Sequence, residues 1–141
     1  MPVEIERVRS DDVSDFYRRL EREALRALYD FSVVWHEQVE EFAATDAGAI
    51  VAAATIRIAA SLAHVERIVV APERRCNGIG RRLLDAAADV ANYYNCHKMS
   101  VLVPHESAAQ RFFEACGYRE EAVLAQHTFK LDVAVLRKFL L

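Results

Sequence analysis

Glu66-Arg67-Ile68-Val69-Val70-Ala71-Pro72-Glu73-Arg74-Arg75-Cys76-Asn77-Gly78-Ile79-Gly80-Arg81-Arg82-Leu83-Leu84-Asp85 is the stretch on which the reading of this chain turns. It opens on a β-branched run, Ile68-Val69-Val70, breaks at Pro72, passes through a turn rich in arginine and glycine, and enters a segment whose apolar residues have helical spacing. Strand, turn and helix start in succession make an anion site. The first N–H groups of a helix have no internal partner, and the helix dipole favours negative charge there. Glycine lets the backbone approach a bulky anion closely. Arg74, Arg75, Arg81 and Arg82 surround this turn in a chain whose net charge is -3. The positive charge is therefore local, which argues against non-specific binding to nucleic acid.

Upstream of the stretch, Val3 to Val8 alternates and reads as a strand. Ser10-Asp11-Asp12 offers an N-cap for a helix from about Asp11 to about Tyr29. Phe31 to Gln38 fits a helix end, a short helix or a loop, with Phe31 and Trp35 as core or interface aromatics. Val39 to Thr45, Ala49 to Ala59 and Leu62 to Val70 read as three successive strands, with turn chemistry at Asp46-Ala47-Gly48. Downstream, Leu83, Leu84, Ala87, Ala91 and Tyr94 make one helix face. Met99 to Val103 reads as a buried strand stopped by Pro104. A helix begins at Glu106 with Ala109, Phe112, Phe113 and Cys116 on its apolar face, and Gly117 stands where a C-cap belongs. Tyr118 to Ala125 and Asp132 to Leu140 read as strands, although the latter also tolerates a short helix. The 141 residues amount to one domain on length alone. The class is mixed α/β, with helices on a mostly antiparallel sheet.

Three glycine-loop patterns compete for the turn. A dinucleotide fingerprint needs G-x-G-x-x-G, but Leu83 stands at the third glycine. A Walker A loop needs G-x-x-x-x-G-K-[ST], which the chain lacks. R-x-x-G-x-G is met at every position by Arg75-Cys76-Asn77-Gly78-Ile79-Gly80. That pattern follows a V-x-P strand end and opens an amphipathic helix. With HVERIVVAPERRCNGIGRRLL around it, it resembles the acetyl-CoA-binding core of the GCN5-related N-acetyltransferase (GNAT) superfamily. Glu106 to Tyr118, ESAAQRFFEACGY, resembles the family's N-x-x-A-x-x-F-Y-x-x-x-G-F helix, with Glu106 in place of asparagine and Phe113 in place of tyrosine.

The resemblance implies a fold and a chemistry. The expected fold is a central, mostly antiparallel sheet of six to seven strands, flanked by helices and splayed at the acetyl-CoA site. The expected cosubstrate is acetyl-CoA, with no metal. Its pyrophosphate is expected on Arg75, Cys76, Asn77, Gly78, Ile79, Gly80 and Arg81. Its pantetheine arm is expected along Val69, Val70 and Ala71. Arg74 or Arg75 is expected to meet a phosphate, and Phe113 to lie beside the cofactor. An amine then attacks the thioester directly, while a base takes its proton.

Glu66 is the expected general base, with a raised pKa because apolar residues flank it; the structural alternative is a salt bridge to Arg67 or Arg57. His64 is a second proton carrier or a hydrogen-bonded structural histidine. Tyr118 is the candidate acid, with Tyr93 and Tyr94 as further tyrosines nearby. Cys76 is either a reactive thiol or a tolerated small residue. His97, His105 and His127 lack metal spacing.

The three cysteines read as free thiols. No apolar run is long enough to span a membrane, and MPVEIERVRSDD lacks a signal-peptide core, so a cytoplasmic protein is expected. The acceptor is an amine on a small molecule or a protein, with amino sugars suggested by the HVERIVV stretch. The residues from Asp11 to Gln38 are expected to form much of the acceptor pocket. A homodimer formed through the edge of the last strand is a further expectation. The competing class is a coenzyme A-binding module without turnover.

Overall fold

The apolar runs that follow Glu37 fold as six strands: β1 (Gln38–Asp46), β2 (Ala49–Ala59), β3 (Leu62–Val70), β4 (Lys98–Pro104), β5 (Arg119–Leu124) and β6 (Val133–Phe139). Among the described residues three α-helices accompany them: α1 (Ser10–Leu28), α2 (Ile79–Tyr93) and α3 (Ala108–Ala115). This computed structural model describes residues 2–33 and 35–140. The chain divides into two units, Met1–Trp35 and His36–Leu141.

In the first unit, residues 2–9 have no regular structure. The expected strand from Val3 to Val8 is not formed, since a strand persists only where a neighbour completes its ladder. Arg9 N–H instead donates to the Asp12 carboxylate at 3.0 Å, which starts α1 one turn before its first apolar residues. The uncertain stretch from Phe31 to Gln38 is irregular up to Glu37, with Val34 outside the described residues.

In the second unit the sheet order is β1-β2-β3-β4-β6-β5. Every described pairing is antiparallel except β3 with β4. Period-2 alternation sends Ile56, Ile58, Ala63, Val65, Met99, Val101, Ala134 and Leu136 to one face, all buried. Leu84, Ala87 and Ala91 of α2 and Phe113 of α3 join the same cluster, so both helices cover that face. Alanines at 54, 63, 87 and 91 let α2 sit close to the strands. The six strands match the lower expected number. The last strand is a strand rather than a helix, and it lies between β4 and β5. Its two edges are both occupied, which removes the expected dimer contact through that strand.

α3 begins later than expected. Glu106 takes a left-handed φ of +59°, and Ser107 caps the helix by accepting from Gln110 N–H at 3.1 Å. Gly117, at φ +94°, ends it as expected. Among the described residues no helix is long and apolar enough to cross a membrane.

Ile56 is fully buried in the middle of the sheet. Ile56→Ala removes its packing and leaves a cavity, so urea denaturation is expected to show a loss of about 2–5 kcal/mol with an unchanged slope.

Candidate active site

β3 delivers the chain to the arginine- and glycine-rich turn. Its ladder continues one residue past the strand, with Ala71 N–H donating to Val51 O at 2.9 Å. Pro72 opens a 3₁₀ turn closed by Arg74 N–H on Ala71 O at 2.8 Å. Cys76 and Gly78 then take left-handed backbone, with φ of +63° and +77°. α2 starts at Ile79 with Gly78 as N-cap and no side chain capping it. Among the described residues, the N–H groups of Cys76, Asn77, Gly78, Ile79, Gly80 and Arg81 find no acceptor in the chain. A run of open donors at a helix N-terminus fits a diphosphate.

The two glycines of the motif have different causes. Gly78 needs its left-handed φ and has open space around it. Gly80 is there for packing: a Cβ would lie 2.8 Å from Phe112 Cζ. Phe112 is therefore the aromatic that meets the turn. Phe113 is buried in the core, with its ring centre 5.1 Å from that of Tyr118. Adjacent helix residues point about 100° apart, so only one of the pair faces α2's first turn.

The arginines are less free than their spacing suggests. Arg74 pairs with Asp46 on the β1–β2 hairpin at 2.6 Å. Arg75 Nε donates to Val70 O at 3.1 Å, and Arg81 donates to Ala115 O at the end of α3. The Arg82 side chain has no ion-pair or hydrogen-bond partner among the described residues. It lines a cavity of about 530 Å³ together with Arg74, Asp46, Ile79 and Leu83. Cys76 is exposed, while Cys96 and Cys116 are buried, and burial pushes both of those thiols up.

Beside the turn, β3 and β4 part. Their parallel ladder holds only Leu62 with Lys98, Ala63 with Met99 and His64 with Ser100. The register of β3 on β2 slips at the same place: Ile56 faces Val65, but Thr55 faces Arg67, so Glu66 is the extra residue of a bulge. A bulge bends its strand, and here β3 leaves β4 from Val65 onward. Val69 and Val70 therefore lack a strand partner on the β4 side, with Val69 exposed.

The face opposite α2 and α3 is polar at this point. Glu66 Oε1 accepts from Arg57 Nε at 2.8 Å, and Arg57 also lies 3.7 Å from Glu37. The hydrogen bond from Arg57 holds the Glu66 carboxyl below the usual glutamate range; burial opposes it, and the charges of Arg57, His64 and Arg67 add to the lowering. The expectation of a raised value is overturned, because Arg57 donates to the carboxylate and the Glu66 side chain is exposed. His64 Nδ1 lies 3.1 Å from Ser100 Oγ. Tyr118 is not an available acid. It is 3% exposed in the core, its hydroxyl donates to Met99 Sδ at 3.6 Å, and burial raises its pKa. Tyr93 and Tyr94 pack on each other at the end of α2. Among the described residues, no group of three His, Cys, Asp or Glu side chains is placed to hold a metal ion.

Residues 5–118 match the family described as "Acetyltransferase (GNAT) family". Among curated proteins none matches the sequence. Solved structures share the fold. An acetyltransferase from Bacillus cereus ATCC 14579 superposes with a TM-score of 0.77 at 19% identity, covering 98% of each chain. The ribosomal-protein-S18-alanine N-acetyltransferase of Escherichia coli gives 0.65 at 18%, covering 96% of this chain and 92% of that one. A Bacillus anthracis str. Ames protein crystallised with acetyl coenzyme A gives 0.66 at 19%, covering 70% and 61%.

Two measurements check this geometry. Gly80→Ala is expected to destabilise by about 1–3 kcal/mol through crowding of Phe112. In a Phe112→Ala background the same change is expected to become neutral or stabilising by up to about 1 kcal/mol, as helix propensity alone dictates. Glu66 has a lowered folded-state pKa, so its stabilisation is present above the unfolded value and is lost as pH falls through the folded one. The stability gap between the wild type and Glu66→Gln is therefore expected at pH 7 and is expected to close on acidification. It should be small, because the Glu66 side chain is 37% exposed and such pairs are screened.

Proposed function

The chain belongs to the acetyltransferase (GNAT) family, and from that premise we propose that it moves an acetyl group from acetyl-CoA to an amine by direct attack on the thioester. One acetyltransferase domain spans the whole chain in this reading, as a family match running from residue 5 to residue 118 supports. The observation that carries the proposal is the conjunction of two features at the end of β3: the open donors of Cys76 to Arg81 and the parting of β3 from β4.

Acetyl-CoA supplies an activated acetyl group, and its thiol is displaced by the amine. The chain's own residues bind and orient. The N–H groups of Cys76 to Arg81 hold the pyrophosphate, with nothing to give up first. The backbone edge at Val69, Val70 and Ala71 pairs with the amides of the pantetheine arm. The gap between β3 and β4 admits the thioester. Glu66, fixed by Arg57, is a charged wall of the acceptor side. A thiol with a pKa of about 8.5 can leave as the thiolate and be protonated afterwards by solvent, so the buried Tyr118 is not required as an acid. The acceptor is a primary amine, with a small molecule preferred over a protein on the likeness of HVERIVV to members acting on amino compounds. The protein works in the cytoplasm.

A module that binds acetyl-CoA without turning it over is the second reading. It draws on the pairing of Glu66 with Arg57 and on the burial of Tyr118.

Thermal unfolding and thiol release separate the two. Acetyl-CoA at a hundred times its Kd is expected to add about 2.7 kcal/mol of stability, while ATP and NAD leave the melting temperature unchanged. Thiol release with at least one of a panel of primary amines is expected for the enzyme. Stabilisation with no release across the panel identifies the non-catalytic module.

A further inference from the structure

His64 and Ser100 are the last cross-strand pair before β3 and β4 separate. Both are half-buried. Their neighbours Ala63, Val65, Met99 and Val101 are in the core under α2 and α3, so strand alternation puts His64 and Ser100 on the opposite face. That face also carries Arg57, the partner of His64 across β2, and Arg137, the partner of Ser100 across β6. The ring nitrogen Nδ1 is 3.1 Å from Ser100 Oγ.

We propose that His64, oriented by Ser100, takes the proton from the attacking amine at the point where the two strands part. The inference rests on the acetyltransferase reading above and replaces Glu66 as the base. Ser100 acts as a positioning residue. With Nδ1–H donating to the serine oxygen, the imidazole keeps its lone pair on Nε2. The nitrogen–carbon bond forms and the carbon–sulfur bond breaks with its electron pair on sulfur. The proton lost by nitrogen passes to Nε2 and from there to the thiolate or to solvent.

The charged groups around His64 leave it this part. Glu66, two residues on, is engaged by Arg57, and a carboxylate held below its usual range is a poor base. Lys98, two residues before Ser100 on β4, is tied to Glu121 at 2.7 Å. Arg137 on β6 lies over the Phe139 ring at 4.5 Å. Arg67 on β3 donates to Thr55 Oγ1 at 3.3 Å. Among the described residues no ion pair joins the imidazole, although the Glu66 carboxylate and His64 feel each other's charge.

The test is the pH profile of thiol release from acetyl-CoA, with ethanolamine, glucosamine and an alanine-initiated peptide as acceptors. The wild type is compared with His64→Gln, Glu66→Gln, Ser100→Ala and Ser100→Thr, and acetyl-CoA thermal shifts confirm that each variant folds and binds. His64→Gln is expected to lower kcat on the order of 10²- to 10⁴-fold, with the KM for acetyl-CoA little changed and the acid limb of the profile gone. Ser100→Ala is expected to lower kcat less and to shift that limb, and Ser100→Thr to restore it. Glu66→Gln is expected to keep the limb. A folded His64→Gln that keeps the limb and turns over within about tenfold of an active wild type places the base elsewhere, below the usual range for general-base loss, and leaves the acetyltransferase reading intact. A wild type that binds acetyl-CoA and releases thiol with none of the acceptors removes that reading and the role of His64 with it.

Discussion

The short parallel ladder between β3 and β4 is the constraint on which the candidate site depends. It ends after His64 and Ser100 because Glu66 is inserted as a bulge against β2, and the bulge bends β3 away. With the pairing carried on to Val70, β4 would occupy the backbone edge at Val69 and Val70. Above the gap the helices are held together: Phe112 rests on Gly80, and Arg81 reaches Ala115 O at the end of α3. The strands separate while the helices stay locked, so the opening has a fixed frame.

The charges are arranged so that the backbone, rather than the arginines, presents the open donors at the candidate site. Arg74, Arg75 and Arg81 are each engaged within the chain, and a ligand phosphate must compete with Asp46 or with carbonyl oxygens for them. Exposed pairs of this kind are worth little, so the exchange is inexpensive. The donors of Cys76 to Arg81 have no such competitor. On the opposite face the carboxylates are engaged as well, Glu66 by Arg57 and Glu41 by Thr55 Oγ1 at 2.6 Å. That leaves the imidazole of His64 beside the last rung of the β3–β4 ladder, 3.1 Å from Ser100 Oγ, with the engaged Glu66 carboxylate near it.

Much of this fold is legible in the residues because its signals are local. Alternation marks β2 and β3 to the residue, and Val69-Val70-Ala71-Pro72 followed by R-x-x-G-x-G marks the turn. The features that resist reading are non-local. Val3 to Val8 alternates like a strand, yet alternation does not supply a neighbour. β6 looks like an exposed apolar edge, but its place between β4 and β5 follows from the sheet order, which no local pattern states. Phe112 and Phe113 are indistinguishable until the phase of α3 is known. The pKa direction of Glu66 could be had from its cross-strand neighbour Arg57 but not from its flanking residues. Ser100 carries no sequence signal, since its link to His64 spans the one parallel register of the sheet.

Amide hydrogen exchange with and without acetyl-CoA tests the central claim most directly. Acetyl-CoA is predicted to protect the amides of Cys76 to Arg81 and the free edge of β3 at Val69 to Ala71, with little change at β1 and β5. Protection confined to other segments, with the amides of Cys76 to Arg81 exchanging as they do in the free protein, would contradict it.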